Sequence, residues 1–146
     1  MRIVLQRVLQ AQVQVNKQII GKIQKGVLVL FGCHQNDAPD QAKWLAQKLV
    51  NLRMFADPQG KMNLSLLDIQ GEALLVPQFT LYADCLHGKR PSFTDALEPE
   101  MAKFFFNIFV NEVKKLLDSV QTGEFGAHMQ VSLINDGPVT FIIDVK

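Results

Sequence analysis

Residues 2–15 read RIVLQRVLQAQVQV, and few stretches constrain a fold as tightly as this one. Ile3, Leu5, Leu9, Ala11, Val13 and Val15 take one side of a two-residue period, with Gln6, Gln10, Gln12 and Gln14 on the other. Such alternation predicts a long β-strand with one buried and one wetted face, and the remaining chain must build a sheet around it. Arg7 interrupts the pattern, because it occupies a position that calls for an apolar side chain. A cation there needs a partner, since a buried unpaired charge is too costly to persist.

After a turn at NKQ, the segment IIGKI returns the chain, and VLVLFGC beyond Gly26 predicts a buried strand. DAPDQAKWLAQKLVNLRMF predicts an amphipathic helix, with Asp37 as a cap near Pro39 and Gln41, Leu45, Leu49 and Leu52 at helical spacing. DPQGKMN is a loop, EALLVPQFTLYA two short strand-like pieces meeting at Pro77, and CLHGKRPSF a second loop. Residues 98–120 predict a second helix with Ala102, Phe106, Phe109, Val113, Leu116, Leu117 and Val120 on its buried face. The run Phe104–Phe106 must then leave one ring off that face. Near the C-terminus, HMQVSLI and VTFIIDV flank Asn135-Asp136-Gly137, a hairpin signal in which Asp-Gly supplies the positive φ of a tight turn. Pro138 sits awkwardly there, with no N–H for the ladder; a strand starting just past the turn would accommodate it. The order predicts a mixed α/β fold: largely antiparallel, barrel-like strands, two main helices, and one domain over residues 1–146.

Composition narrows the function. Fifteen Lys and Arg against fourteen Asp and Glu give a net charge of +1, so any nucleic-acid contact must be a local patch. No apolar run approaches the roughly 18 residues of a membrane span. Gln6 and Arg7 interrupt the only candidate leader, so the expected location is cytoplasmic. Cys33 and Cys85 form no CxxC pair, and His34, His87 and His128 share no metal-ligand spacing. No metal and no cofactor is expected.

Two loops and the C-terminal turn hold the residues with chemical interest. Gln78 and Thr80 stand in an otherwise apolar segment, where a hydrogen-bonded structural turn is the plain explanation. Lys89 and Arg90 beside Phe93 offer two cations for phosphates and a ring for a base, or simply solvated charge. Taken together and in order, Pro77-Gln-Phe-Thr-Leu81, Arg90-Pro-Ser-Phe93 and Asn135-Asp-Gly-Pro-Val-Thr140 resemble the D-aminoacyl-tRNA deacylase family. MRIVLQRV, GKMNLS at 60–65 and TGEFGAHMQVSLINDGPVTF extend the resemblance over essentially the whole chain. The family usually has Ser where this chain has Pro77, so no role of that Ser carries over. An animal relative also opens with Pro but continues Gln-Ala-Thr and holds its Gly-Pro trans; Phe79 sides with the D-specific family.

The resemblance implies a homodimer that hydrolyses the ester between a D-amino acid and the aminoacylated 3′ end of tRNA. It implies a cis Gly137–Pro138 peptide whose loop enters the partner's active site and presents carbonyl oxygens to the α-amino group. An L side chain would then strike the backbone, whereas glycine would pass. Arg7 would hold this loop through its carbonyl oxygens, the alternative being an ordinary ion pair. Gln78, Phe79 and Thr80 would form the catalytic segment, with the N–H groups of Phe79 and Thr80 as oxyanion donors. Lys89, Arg90, Ser92 and Phe93 would join Arg7, Gly137 and Pro138 in binding substrate. The tRNA 2′-OH would assist, because no base adjoins Thr80 in sequence. Rival readings are a relaxed-chirality deacylase, a small-acyl hydrolase with a Thr or Cys nucleophile, and a non-catalytic RNA-binding dimer.

Overall fold

The fold is described from a computed structural model, over residues 1–145. The alternating N-terminal stretch forms β1 (Arg2–Val15), a strand long enough to take partners along both edges. On one edge its first half pairs antiparallel with β3 (Gly26–Gly32) and its second half with β2 (Gln18–Ile23). The alternation slips midway: Val8 is buried whereas Leu9 is half exposed. The cause is a pair of register shifts against the strand on the other edge, between Gln6 and Val8 and between Val8 and Gln10.

Helix α1 (Pro39–Asn51) starts one residue later than the predicted cap, on Ala38. Asp37 is diverted: it accepts from the His34 N–H at 2.7 Å and pairs with the Met1 ammonium at 2.5 Å. The loop 57–61 turns a small hairpin of β4 (Phe55–Ala56) and β5 (Met62–Leu64). β6 (Glu72–Pro77) runs parallel to β3, and β7 (Val120–Thr122) runs parallel to β6. Only the first of the two strand-like pieces around Pro77 is a strand; Phe79–Tyr82 coil into a 3₁₀ turn. Helix α2 covers Pro99–Lys114, capped by the Glu98 carboxylate on the Met101 N–H at 2.9 Å. It ends earlier than its apolar periodicity suggests, because Val120 is drawn into the sheet as the start of β7. Of the three consecutive phenylalanines, Phe105 and Phe106 are buried and Phe104 is 51% exposed.

The predicted C-terminal hairpin does not form. Gln130–Asp144 is one strand, β8, and both of its halves pair antiparallel with the free edge of β1 instead of with each other. Between the Gln6–Thr140 and Val8–Asn135 pairs, two steps of β1 face five of β8. The excess residues bulge out of the ladder, which is where Gly137-Pro138 sits, and the Pro needs no ladder N–H there.

The resulting sheet curls into a nearly closed barrel. Its order is β2-β1-β3-β6-β7, with β8 on the far edge of β1. Alternate residues of β3 and β6 therefore serve two cores. Val27, Val29, Phe31, Ala73 and Leu75 face α1 and α2, whereas Leu28, Leu74 and Val76 pack inside the curl against Val8, Ala11, Val13 and Ile23. A strand buried on both faces needs a continuous apolar run, as VLVLF is.

Candidate active site

Parallel strands that end side by side leave a crevice beyond their carboxyl ends, the usual ligand position in sheets with parallel pairs. β3 and β6 end this way, and a cavity of about 660 Å³ opens there. Its floor is Phe31–Cys33 and Val76–Pro77, one wall is the first turn of α2, and residues 125–129 with Val131 close the back. The Gln78 N–H makes the last rung, to the Phe31 carbonyl at 2.7 Å, and the chain then breaks into the 3₁₀ turn. Gln78 and Phe79 line the cavity, and Phe79 meets Phe93 edge to face, 5.1 Å between ring centroids. Both rings are about half exposed, an apolar platform at the mouth.

The first N–H groups of a helical turn have no partner inside it. Among the described residues, those of Phe79 and Thr80 are given to no acceptor, while Leu81 N–H reaches the Gln78 carbonyl. Thr80 does not itself line the cavity; its Oγ1 accepts from Gln78 Nε2 at 2.5 Å. Gly32 fixes how closely this turn can lie on β3. A Cβ there would stand 2.9 Å from the Gln78 carbonyl oxygen and 3.1 Å from Leu81 Cβ. From below, the Arg2 guanidinium donates to the Leu81 carbonyl at 2.9 Å, grips Asp144 with two nitrogens, and lies 5.2 Å from the Tyr82 ring centre.

Few side chains here can act as acid, base or nucleophile. Burial pushes the Cys33 thiol up to about 12, and the nearby Asp37 charge adds to the effect. Burial likewise raises the Tyr82 hydroxyl above its ordinary range. His128 lines the cavity, but no His, Cys, Asp and Glu group able to hold a metal converges among the described residues.

The remaining predicted residues divide between two places. Asp84 and Ser92 exchange both backbone hydrogen bonds, at 2.8 and 2.9 Å, and so close the loop that carries Lys89 and Arg90. Ser92 thus ties the loop by its main chain, Phe93 enters the cavity wall, and the two cations stay exposed at the tip. Asp84 caps the tip by accepting from the Leu86 N–H and from His87, which together hold its carboxyl below the usual range.

Arg7, Gly137 and Pro138 are not among the residues that line this cavity. Arg7, with its side chain 13% exposed, donates through Nε to the Asp136 carbonyl at 3.0 Å and through Nη1 to the Met54 carbonyl at 2.6 Å. Its Nε also lies 3.2 Å from the Asp136 carboxylate. The expected alternatives, loop carbonyl or ion pair, therefore coexist on one residue, and the carbonyl is that of Asp136. The Gly137–Pro138 peptide is cis, and Gly137 has φ +131°. A Cβ on Gly137 would lie 2.7 Å from Val139 Cγ2 and 2.9 Å from Arg7 Nη2. Asn135 completes the assembly. Its amide spans the bulge, accepting from Val139 N–H at 2.9 Å and donating to the Val139 and Arg7 carbonyls at 3.0 and 3.3 Å. Sequence reasoning took Asn135 as a turn former; its side chain clamps the base of a bulge. The back wall at 125–129 was also missed, because nothing in Phe-Gly-Ala-His-Met indicates what faces it.

Known proteins resemble this chain over nearly its whole length. A family model described as D-Tyr-tRNA(Tyr) deacylase matches residues 4–144. The D-aminoacyl-tRNA deacylase of Thermosipho africanus (strain TCF52B) is 55% identical over 146 residues, covering 100% of this chain and 98% of that protein. That of Petrotoga mobilis (strain DSM 10674 / SJ95) is 51% identical, covering 99% of this chain and 97% of its own. Among solved structures, the c-Myc DNA Unwinding Element Binding Protein superposes with a TM-score of 0.94 at 38% identity, over 100% of this chain and 99% of that one. On the match over residues 4–144 and the 55% identity across the whole chain, it belongs to the D-Tyr-tRNA(Tyr) deacylase family.

Proposed function

We propose that this protein is a D-aminoacyl-tRNA deacylase, which hydrolyses the ester joining a D-amino acid to the 3′-terminal adenosine of tRNA. One observation carries the chemistry: among the described residues the adjacent N–H groups of Phe79 and Thr80 are unpaired, in a turn whose Gln78 and Phe79 line an apolar cavity that offers no activated nucleophile. Water attacks the ester carbonyl, and the oxyanion is received by those N–H groups. Each such donor is typically worth about 3–4 kcal/mol. The acyl C–O bond then breaks, and the proton released by water passes to the departing 3′ oxygen with the vicinal 2′-OH as positioning group or relay. That hydroxyl comes with every substrate at fixed geometry, where proximity substitutes for a protein base. Phe79 and Phe93 support stacking of the adenine, Gln78 shapes its pocket, and Lys89 and Arg90 steer the approaching RNA.

Chirality is read by a second subunit. The protein acts as a cytoplasmic homodimer in which Gly137 and Pro138 of the partner subunit enter the cavity mouth and offer carbonyl oxygens to the α-amino group. Support comes from their lying outside the cavity lining of their own chain, and from β8 presenting an unpaired edge with Ile134 and Ile142 exposed. An L side chain collides with this backbone, a D side chain points outward, and glycine has nothing to collide. Rejection by collision discriminates where attraction to many different side chains could not. The test is a deacylation assay with matched D- and L-aminoacyl-tRNA and with glycyl-tRNA. Release of the D-amino acid and glycine, with the L ester left intact, is expected; equal cleavage of D and L would refute the chiral filter.

A further inference from the structure

The polar face of α2 lines a hollow next to the cavity that the catalytic account leaves unused. Beside the cavity runs a second groove of about 370 Å³, with Phe106 and Val110 at its base. Lys103, Asn107, Asn111 and Lys114 stand along its helical side, and Thr122 and Gly123 form the other. Phe125 borders both hollows, so the groove adjoins the cavity's back wall. Spacings of three and four place these four polar residues on one helical stripe. At 1.5 Å per residue, the stripe from Lys103 to Lys114 is about 16 Å long. Neither lysine has an ion-pair partner among the described residues, whereas Lys43 and Lys115 do. No acidic residue lines the groove, in a chain whose charges nearly balance.

We infer that this groove takes the single-stranded RNA immediately 5′ of the terminal adenosine, with Lys103 and Lys114 on its phosphates and the two Asn amides on phosphate or 2′-hydroxyl oxygens. The inference rests on the function proposed above and adds the path of its substrate. A terminal nucleoside seated between the Phe79–Phe93 platform and Phe125 must lead its chain out of the cavity. The adjoining groove combines positive charge, amide donors and length for more than one phosphate. An exposed loop tip such as that of Lys89 and Arg90 can attract RNA from a distance, but a helix holds its side chains at fixed intervals.

The test uses Lys103→Gln with Lys114→Gln, both exposed positions, against two substrates: D-tyrosyl-tRNA and the D-tyrosyl ester of adenosine, which has no phosphates. The double variant should lose about five- to twentyfold in kcat/KM on the tRNA ester, mostly through KM. Its log–log salt dependence should flatten by about 1.4, the loss of two single-strand phosphate contacts. Cleavage of the adenosine ester should be unchanged. The paired change Lys25→Gln with Lys48→Gln, outside the groove, should leave both substrates unaffected. Unchanged tRNA kinetics and salt slope, or an equal loss on both esters, would overturn the inference. Binding of uncharged tRNA, followed by fluorescence anisotropy, separates the two claims. If the wild type binds without cleaving either ester, the deacylase reading fails; if the double variant then binds as tightly as wild type, the groove fails too.

Discussion

Thr80 Oγ1 accepts a hydrogen bond from Gln78 Nε2, and no imidazole or carboxylate is bonded to it among the described residues. An unassisted hydroxyl forgoes the roughly 10²–10⁴-fold that a general base supplies. Thr80→Ala should therefore keep kcat/KM within about fivefold, while substrate ending in 2′-deoxyadenosine is cleaved far more slowly. An acyl group trapped on Thr80 would refute this. Cys33 is disqualified by its surroundings: burial favours the neutral thiol, so the thiolate becomes abundant only near pH 12. Native protein at pH 8 should thus take up one equivalent of iodoacetamide, on exposed Cys85, and lose no activity. Arg7 differs in kind, because it satisfies two carbonyls and a carboxylate at once. Arg7→Ala should lower the D-over-L ratio of kcat/KM at least tenfold. The unfolding free energy should fall by only about 1–3 kcal/mol, the penalty for orphaned acceptors. A large stability loss with an unchanged ratio would make Arg7 purely structural.

In the proposed function, the 3₁₀ turn and the bulged strand are the elements that make a barrel into a site. The turn depends on Gly32, since a methyl there meets the Gln78 carbonyl at 2.9 Å and Leu81 Cβ at 3.1 Å. Gly32→Ala should push Phe79 and Thr80 away from the cavity. A tenfold or greater fall in kcat is expected beside about 1–3 kcal/mol of destabilisation from overpacking. Unaltered kcat would mean that the turn is not the oxyanion donor. At this scale sequence reasoning succeeded where the pattern is local and failed where pairing is remote. Leu45 and Leu49, and Phe106 and Phe109, repeat at helical spacing, and both pairs are buried as expected. The Asn-Asp-Gly signal is equally local, but eleven residue pairs with β1 outweigh one tight turn, so the hairpin opens into a single strand. Asp37 was lost as a cap for the same reason: the chain's own amino group, 36 residues away in sequence, claims it. The Gln78–Thr80 segment and Gly137-Pro138 were legible only through the family motif, since nothing in their composition separates a site from a turn.

At the scale of the whole molecule, fifteen-residue β8 pairs only with β1 among the described residues, which leaves its other edge unpaired, with Ile142 65% exposed. Such an edge invites a second chain unless it is covered. Light scattering at micromolar concentration should give twice the mass of one chain. If subunits exchange a filter, mixing Gly137→Ala chains with Thr80→Ala chains should yield heterodimers whose two cavities differ in discrimination. A monomeric, fully D-selective enzyme would refute the shared site.

The way β8 lies on β1 also limits how the family could vary its tip. Both halves of the strand send odd-numbered residues inward: Phe141 and Ile143 against one core, Leu133 against the other. The bulge joins them with a fixed excess over the two facing steps of β1. One residue inserted or deleted between Asn135 and Thr140 would be taken up by the bulge, outside the paired ladder, and would move Asn135 off Val139. That contact closes the loop, so a change of length of either parity opens it. Point substitution remains as the workable route, and at Gly137 the positive φ and crowding narrow even that. Evolutionary drift in this segment should therefore appear as residue swaps at constant length.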